Sequence, residues 1–338
     1  MKTATLRFTW TLVAGIGLAV FLIGASIKMG AVSIPWTDFL HLEESQALII
    51  WDLRLPRATL AFLVGSVLSL TGVCLQGLLR NPLASPSLLG MTSGAAFFAA
   101  LMIIMQQLLL AFLSPAWVEY LVAAGAFVGC LLTSLWLYAL SRQSGHTNTA
   151  LLLLAGVAIT SLAGAGTGFI TFMADDAQLR SITFWNMGSV GSATWSQVLC
   201  VGVFSLPSFL ILPWMGRALN AMLLGEQEAH FLGFAVEKQK RIILICVSLA
   251  VGSSVAFTGV IGFVGLVVPH LLRLWLGSDH QRLLPTSFVF GGCLLLGSDI
   301  IARTVAAPLE LPLGVVTAAI GAPYFLYLLQ RSARRMES

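Results

Sequence analysis

The chain has 338 residues, 58% of them hydrophobic and 9% charged, with a formal net charge of +4. A water-soluble domain carries about a quarter charged residues, so this composition excludes a water-facing globular protein and places the chain in lipid. The small net charge gives no reason to expect a nucleic-acid partner, since Lys and Arg in a membrane protein report orientation.

Lys2 and Arg7 precede an apolar run from Phe8 to Ile27. The charged start and the small residues around Gly24 imitate a signal peptide, but the run is long enough to span and more spans follow. That predicts an uncleaved first helix. A span needs about 20 apolar residues, and the apolar runs predict ten transmembrane helices near 8–29, 58–79, 89–113, 117–140, 149–173, 194–214, 241–259, 264–276, 285–303 and 312–330. The eighth is too short to cross alone. Gly252, Gly259, Gly262 and Gly265 lead into it and Pro269 interrupts it, which predicts a broken or re-entrant segment covered by protein or lining a cavity. The expected fold is an all-α polytopic membrane protein, a single domain over 1–338.

With the N-terminus inside, thirteen basic residues fall on the cytoplasmic side: Lys2, Arg7, Arg80, Arg142, Arg217, Lys238, Lys240, Arg241, Arg273, Arg282, Arg331, Arg334 and Arg335. Five fall outside: Lys28, Arg54, Arg57, Arg180 and Arg303. The asymmetry obeys the positive-inside rule and puts both termini in the cytoplasm. Helices 2–5 and 7–10 then run in opposite senses, which permits an inverted repeat of the kind transporters use.

The stretch from Met215 to Gly233 differs from a plain connector. It carries charge, spaced glycines and short apolar patches. This pattern predicts two small helices hinged at Gly225, within a cytoplasmic segment 215–240 that offers a surface to a partner. The chain has no GxxxxGK[ST] phosphate loop and no HExxH, so neither ATP hydrolysis nor a resident catalytic metal is expected of it. The five cysteines lie in separate apolar runs and read as small core residues. His270, after Pro269, is of a type that can ligate a heme iron, but a hydrogen-bonded side chain inside the broken eighth helix is the commoner case.

On the outer face, Arg54, Arg57 and Arg303 break the positive-inside pattern. They read either as snorkelling side chains or partners of Asp52, Asp299 or Glu310, or as a basic docking rim for an acidic partner or ligand. Asp299 and Glu310 lie toward that same end, which favours local ion pairing over a proton path. On the inner face, Arg80 to Gly90 holds two prolines, and Asn81 can cap its turn. This loop is either a rigid connector or a constriction faced by Asn148 and Thr149.

Several segments resemble the FecCD family, the permease subunits of ABC importers for ferric siderophores, heme and cobalamin. They are Arg54-Leu-Pro-Arg57, Gln76-Gly-Leu-Leu-Arg-Asn-Pro-Leu-Ala84, Leu153-Leu-Ala-Gly-Val157, Gly259-Val-Ile-Gly-Phe-Val-Gly-Leu-Val-Val-Pro-His270, Asp279-His-Gln-Arg-Leu-Leu-Pro285, Asp299-Ile-Ile-Ala-Arg303, Glu310-Leu-Pro-Leu-Gly314 and Gly321-Ala-Pro323. The resemblance implies a type II ABC importer permease fold in a bacterial inner membrane. It implies a homodimer of ten-helix subunits, two ATP-binding subunits holding ATP and Mg beneath, and a periplasmic binding protein above, with no cofactor on this chain. It assigns ATPase coupling to the segment holding Leu219, Asn220, Leu223, Leu224, Gly225, Glu226, Ala229, Leu232 and Gly233. It assigns binding-protein docking to Arg54, Arg57 and Arg303, and an inner constriction to Asn81, Leu83 and Thr149, beside which Asn148 lies. The stretch Ala174 to Ser189 looks most like the heme-importer branch, with Arg180, which could attract propionates, and Phe184 and Trp185, which either offer a flat apolar wall or serve as interfacial anchors, as candidate residues of a substrate mouth for heme or another iron chelate. A ferric siderophore or cobalamin is the nearest alternative cargo, and a stand-alone secondary carrier a more distant one.

Overall fold

The computed structural model describes residues 2–30, 43–109, 115–143, 146–307 and 309–336. Its helices are α1 (Lys2–Lys28), α2 (Glu44–Leu48), α3 (Leu55–Leu79), α4 (Met91–Leu109), α5 (Pro115–Ser141), α6 (Thr149–Met173), α7 (Asp176–Met187), α8 (Trp195–Ile211), α9 (Gly216–Leu224), α10 (Glu226–Phe231), α11 (Val236–Thr258), α12 (Val264–Leu276), α13 (His280–Thr304) and α14 (Leu313–Met336). Each of the ten predicted spans has its helix. The predicted end of the third span at 113, and His41, lie outside the described residues.

The boundaries shifted for local reasons. A π-helical turn, Ile49–Arg54, runs directly into α3 with Pro56 just past the junction, and the Trp51 carbonyl five residues before it accepts from Trp195 Nε1 at 2.9 Å instead. The start expected at Pro285 is instead His280, because Asp279 caps α13 by accepting from the Gln281 N–H at 3.0 Å. α8 does not end in a loop, but passes through a 3-10 turn at Leu212–Met215 straight into α9.

α3 is the axis of the bundle, packed against α8, α11, α12 and α13. It gets close through glycines. A Cβ on Gly65 would lie 2.2 Å from the Gly291 carbonyl oxygen of α13, and one on Gly72 would lie 2.1 Å from the Gly265 oxygen of α12. Only backbone fits at these crossings, which is how membrane helices gain close packing without a hydrophobic driving force. Gly129 of the Gly125–Gly129 pair serves the α4–α5 contact in the same way, against Gly94. Cys74, Cys130, Cys246 and Cys293 are buried free thiols among these helices. Peripheral faces of α1 and α6 stay apolar and exposed, as lipid or a partner requires.

The expected break at Pro269 is absent. α12 is continuous, and the irregular backbone lies before it, at Gly259 (φ 68) and Phe263 (φ 67). Pro269 has no N–H for the Gly265 carbonyl four residues back. That carbonyl accepts instead from Gln76 Nε2 on α3, at 3.1 Å.

Two polar clusters mark the ends of the bundle. One joins the end of α1, the start of α3, the end of α13 and Glu310. The other joins the start of α13, α9, α10, the start of α11 and a short hairpin, β1 (Arg142–Gln143) with β2 (His146–Thr147), between α5 and α6. Each cluster collects chain segments that the predicted topology puts on one face, the outer for the first and the inner for the second.

Candidate coupling, gating and docking sites

The inner surface is built around α9 and α10. Gly225 connects them with φ 146 and ψ 156, a conformation open only to glycine, so the two helices meet at a sharp hinge. Leu219, Gly225 and Ala229 face inward and are buried. Asn220 is a brace: its Nδ2 donates to Asp279 Oδ1 at 2.7 Å, and its Oδ1 accepts from the His280 N–H at 2.8 Å. These residues position the segment. Leu223, Leu224 and Leu232 present apolar side chains outward, together with Phe231, 85% exposed, which the sequence reading passed over. Gly233 ends the segment at φ 87 and is exposed.

Glu226 leads beneath this surface. Its Oε2 accepts from Lys240 Nζ at 2.6 Å, and Lys240 is fully buried. In the run Glu237-Lys-Gln-Lys-Arg, Lys240 looks like one of several solvated charges. The only local sign of its burial is the i,i+3 spacing from Glu237, with which it pairs at 3.1 Å.

The inner loop and the start of α6 form the next layer. Asn81 Oδ1 accepts from the Leu83 N–H at 2.9 Å, closing the turn after Arg80, and Leu83 is exposed. Asn148 is the N-cap of α6, accepting from the Ala150 and Leu151 N–H groups, and Thr149 is its first helical residue. The loop lies on α6 farther along: a Cβ on Gly156 would fall 2.7 Å from the Leu88 oxygen.

On the outer face the three arginines are not a free basic rim. Arg54 and Arg303 are buried, 6% and 7% exposed. Arg54 Nη1 donates to the carbonyls of Ile27 and Lys28, and Arg303 Nη2 donates to the carbonyl and hydroxyl of Ser26 at 2.8 and 2.7 Å. Both cap the last turn of α1, whose carbonyls have no intrahelical partner and carry the negative end of the helix dipole. Arg57 lies between Asp299 at 2.9 Å and Glu310 at 2.8 Å, and Glu310 is the exposed member. Charge and spacing announced the pairing; the capping of α1 had no sequence signal.

Above α6, Asp175 caps α7 by accepting from the Gln178 N–H at 2.8 Å. Arg180 and Phe184 stand one turn apart and exposed. Trp185 is not an exposed wall. It packs against both the main core and the small cluster of Ala100, Ile103, Ile170 and Ile182.

A family model described as the FecCD transport family matches residues 18–331. The chain is 45% identical over 316 residues to the hemin transport system permease protein HmuU of Yersinia pestis, covering 93% of both chains. It is 36% identical over 340 residues to the cobalamin import system permease protein BtuC of Halobacterium salinarum, covering 98% of this chain and 89% of that one. Its structure is similar to an inward-facing conformation of a metal-chelate type ABC transporter, with TM-score 0.84, 32% identity and 95% and 98% of the two chains covered. Span pattern, inner and outer polar clusters and near end-to-end similarity agree: the chain belongs to the FecCD transport family and is a non-catalytic, membrane-spanning permease subunit of an ABC importer.

Proposed function

We propose that this permease carries heme across a bacterial inner membrane as a homodimer, with both termini in the cytoplasm. The observation that carries the choice of cargo is the 45% identity over 316 residues with a hemin permease, against 41% over 298 residues with a vitamin B12 permease and 36% over 340 with a cobalamin permease. The chemistry of the outer end of α6 and of α7 supports it. Phe169 and Phe172 on α6 and Phe184 on α7 are exposed apolar rings, and α7 also carries the exposed cation Arg180. A flat apolar ligand with carboxylates matches that pairing of surfaces.

In this reading, two ATP-binding subunits seat on the apolar surface of Leu223, Leu224, Phe231 and Leu232. Their closure on ATP moves α9 and α10 about the brace of Asn220. A periplasmic binding protein docks over Arg57, with Arg54 and Arg303 holding the surface beneath it. Asn81, Leu83, Asn148 and Thr149 narrow the inner mouth. The pathway holds cargo weakly, since a tight site would have to be broken in each cycle. Cobalamin is the second reading, supported by the Halobacterium salinarum relative.

The test is uptake into proteoliposomes holding this chain with its co-expressed ATPase and binding protein. Heme, a ferric siderophore and cobalamin are offered with and without ATP. ATP-dependent entry of heme alone supports the reading, entry of another cargo replaces heme, and entry without ATP removes the coupling scheme.

A further inference from the structure

Lys240 has a place in the structure that the transport scheme has not used. Its side chain is fully buried on the first turns of α11. An ammonium has three N–H donors, and here each has a partner on a different segment. Nζ bonds the Thr147 carbonyl at 2.8 Å, Glu226 Oε2 at 2.6 Å and Glu237 Oε1 at 3.1 Å. The other oxygen of Glu237 accepts from the Thr147 N–H at 3.1 Å and its hydroxyl at 2.8 Å. All three polar groups of Thr147 are therefore held by the Lys240–Glu237 pair.

The two ends of this chain of bonds are informative. Glu226 is the first residue of α10, next to the Gly225 hinge. Thr147 precedes Asn148, the N-cap of α6. An open groove of about 730 Å³ runs along the same residues, lined by His146, Glu226, Phe231, Glu237 and Lys238 among others. The hairpin and α10 are thus joined here by polar bonds more than by packed side chains.

We propose that Lys240, with Glu237 and Thr147, is the positioning link that makes the start of α6 follow α10 during the transport cycle. The inference rests on the permease reading above, and names the path by which motion of the coupling segment reaches the inner mouth. A buried charge cannot drop one partner cheaply, because the ammonium would be left desolvated and underbonded. Charge-assisted bonds to two carboxylates are also shorter and stiffer than neutral ones. If α10 moves, either Thr147 moves with it or the ammonium loses a partner, and the first course is favoured. A buried ion pair is weak evidence for stability as such, and this one adds a polar link from the hairpin to α10, whose apolar packing is against α11 through Ala229 and Val236.

The test uses the complete complex in liposomes. Cargo imported per ATP hydrolysed is measured for the wild type, Lys240→Met, Lys240→Arg and Thr147→Val. In parallel, spin labels at Gln143→Cys in the hairpin and Gln227→Cys on α10 report their separation without nucleotide and with ATP. The wild-type separation should stay constant between the two states. Lys240→Met should keep ATP hydrolysis within about twofold while import per ATP falls about tenfold, a usual size for a coupling between sites, and its label separation should become nucleotide-dependent. Lys240→Arg should recover part of the ratio, and Thr147→Val, which removes one bond and keeps the shape, should give an intermediate loss. An unchanged ratio in Lys240→Met, or in Thr147→Val should Lys240→Met not assemble, overturns the link. So does a wild-type separation that changes with nucleotide. Absence of ATP-dependent uptake by the wild type would instead remove the permease reading, and the label separations would still decide on the link.

Discussion

Asp299→Ala tests the outer polar cluster most directly. Asp299 is 1% exposed and accepts from Arg57 Nε at 3.0 Å and Nη2 at 2.9 Å, while its second oxygen lies 3.7 Å from Arg303 Nε. One buried carboxylate therefore faces two guanidinium groups. Removing one partner of a buried pair costs about 3–5 kcal/mol, because the charge left behind stays desolvated. Arg57 would keep Glu310, which is 48% exposed, and Arg303 would keep the Ser26 oxygens. The loss therefore falls at the lower end, about 3 kcal/mol, or roughly a hundredfold in the unfolding equilibrium. The assay is reversible unfolding in mixed micelles with rising SDS fraction, read by far-UV circular dichroism. Replacing the bidentate pair together, Asp299→Leu with Arg57→Met, should recover more than half of the loss, since the stranded charge is removed, Arg303 keeps the Ser26 oxygens and Glu310 is half exposed. If Asp299→Ala lies within about 1 kcal/mol of the wild type, or the double variant loses the sum of the single losses, the cluster does not hold the outer end together as described.

Gln76→Leu should cost about 1–3 kcal/mol in the same assay, the penalty for a buried acceptor without a donor, because Pro269 cannot supply the N–H for Gly265. A neutral result would mean that another donor reaches that carbonyl. Arg57→Glu should weaken binding-protein affinity about tenfold at low salt and less at high salt, as charge steering at a rim requires; equal affinity at low salt would sink the docking role. Leu224→Asp with Phe231→Asp should abolish co-purification of the ATPase while the permease still unfolds like the wild type, since both side chains are exposed. Retained co-purification would move the coupling surface elsewhere.

Most of the architecture follows from information carried locally. Apolar runs of spanning length and the Gly225 hinge act within a few residues of themselves, so the helices and that hinge are legible in the chain, whereas the equally local Asp279 cap moved the start of α13 ahead of the expected residue 285. What could not be read is what depends on partners far apart in sequence. The pairing of Arg57 with Asp299 was announced by charge and spacing, but the capping of the end of α1 by Arg303, across 277 positions, was not. Pro269 looked like a break because its remedy, Gln76, lies on another helix 189 residues from Gly265. Lys240 looked solvated within a charged run, and Trp185 looked like a surface ring, until α10, the hairpin and α4 closed over them. The length of an apolar run determines which segments can span the membrane. Burial of a particular arginine, lysine or tryptophan is decided only by packing, because a polar group goes inside only where a neighbour from another segment supplies the partner that water would have been.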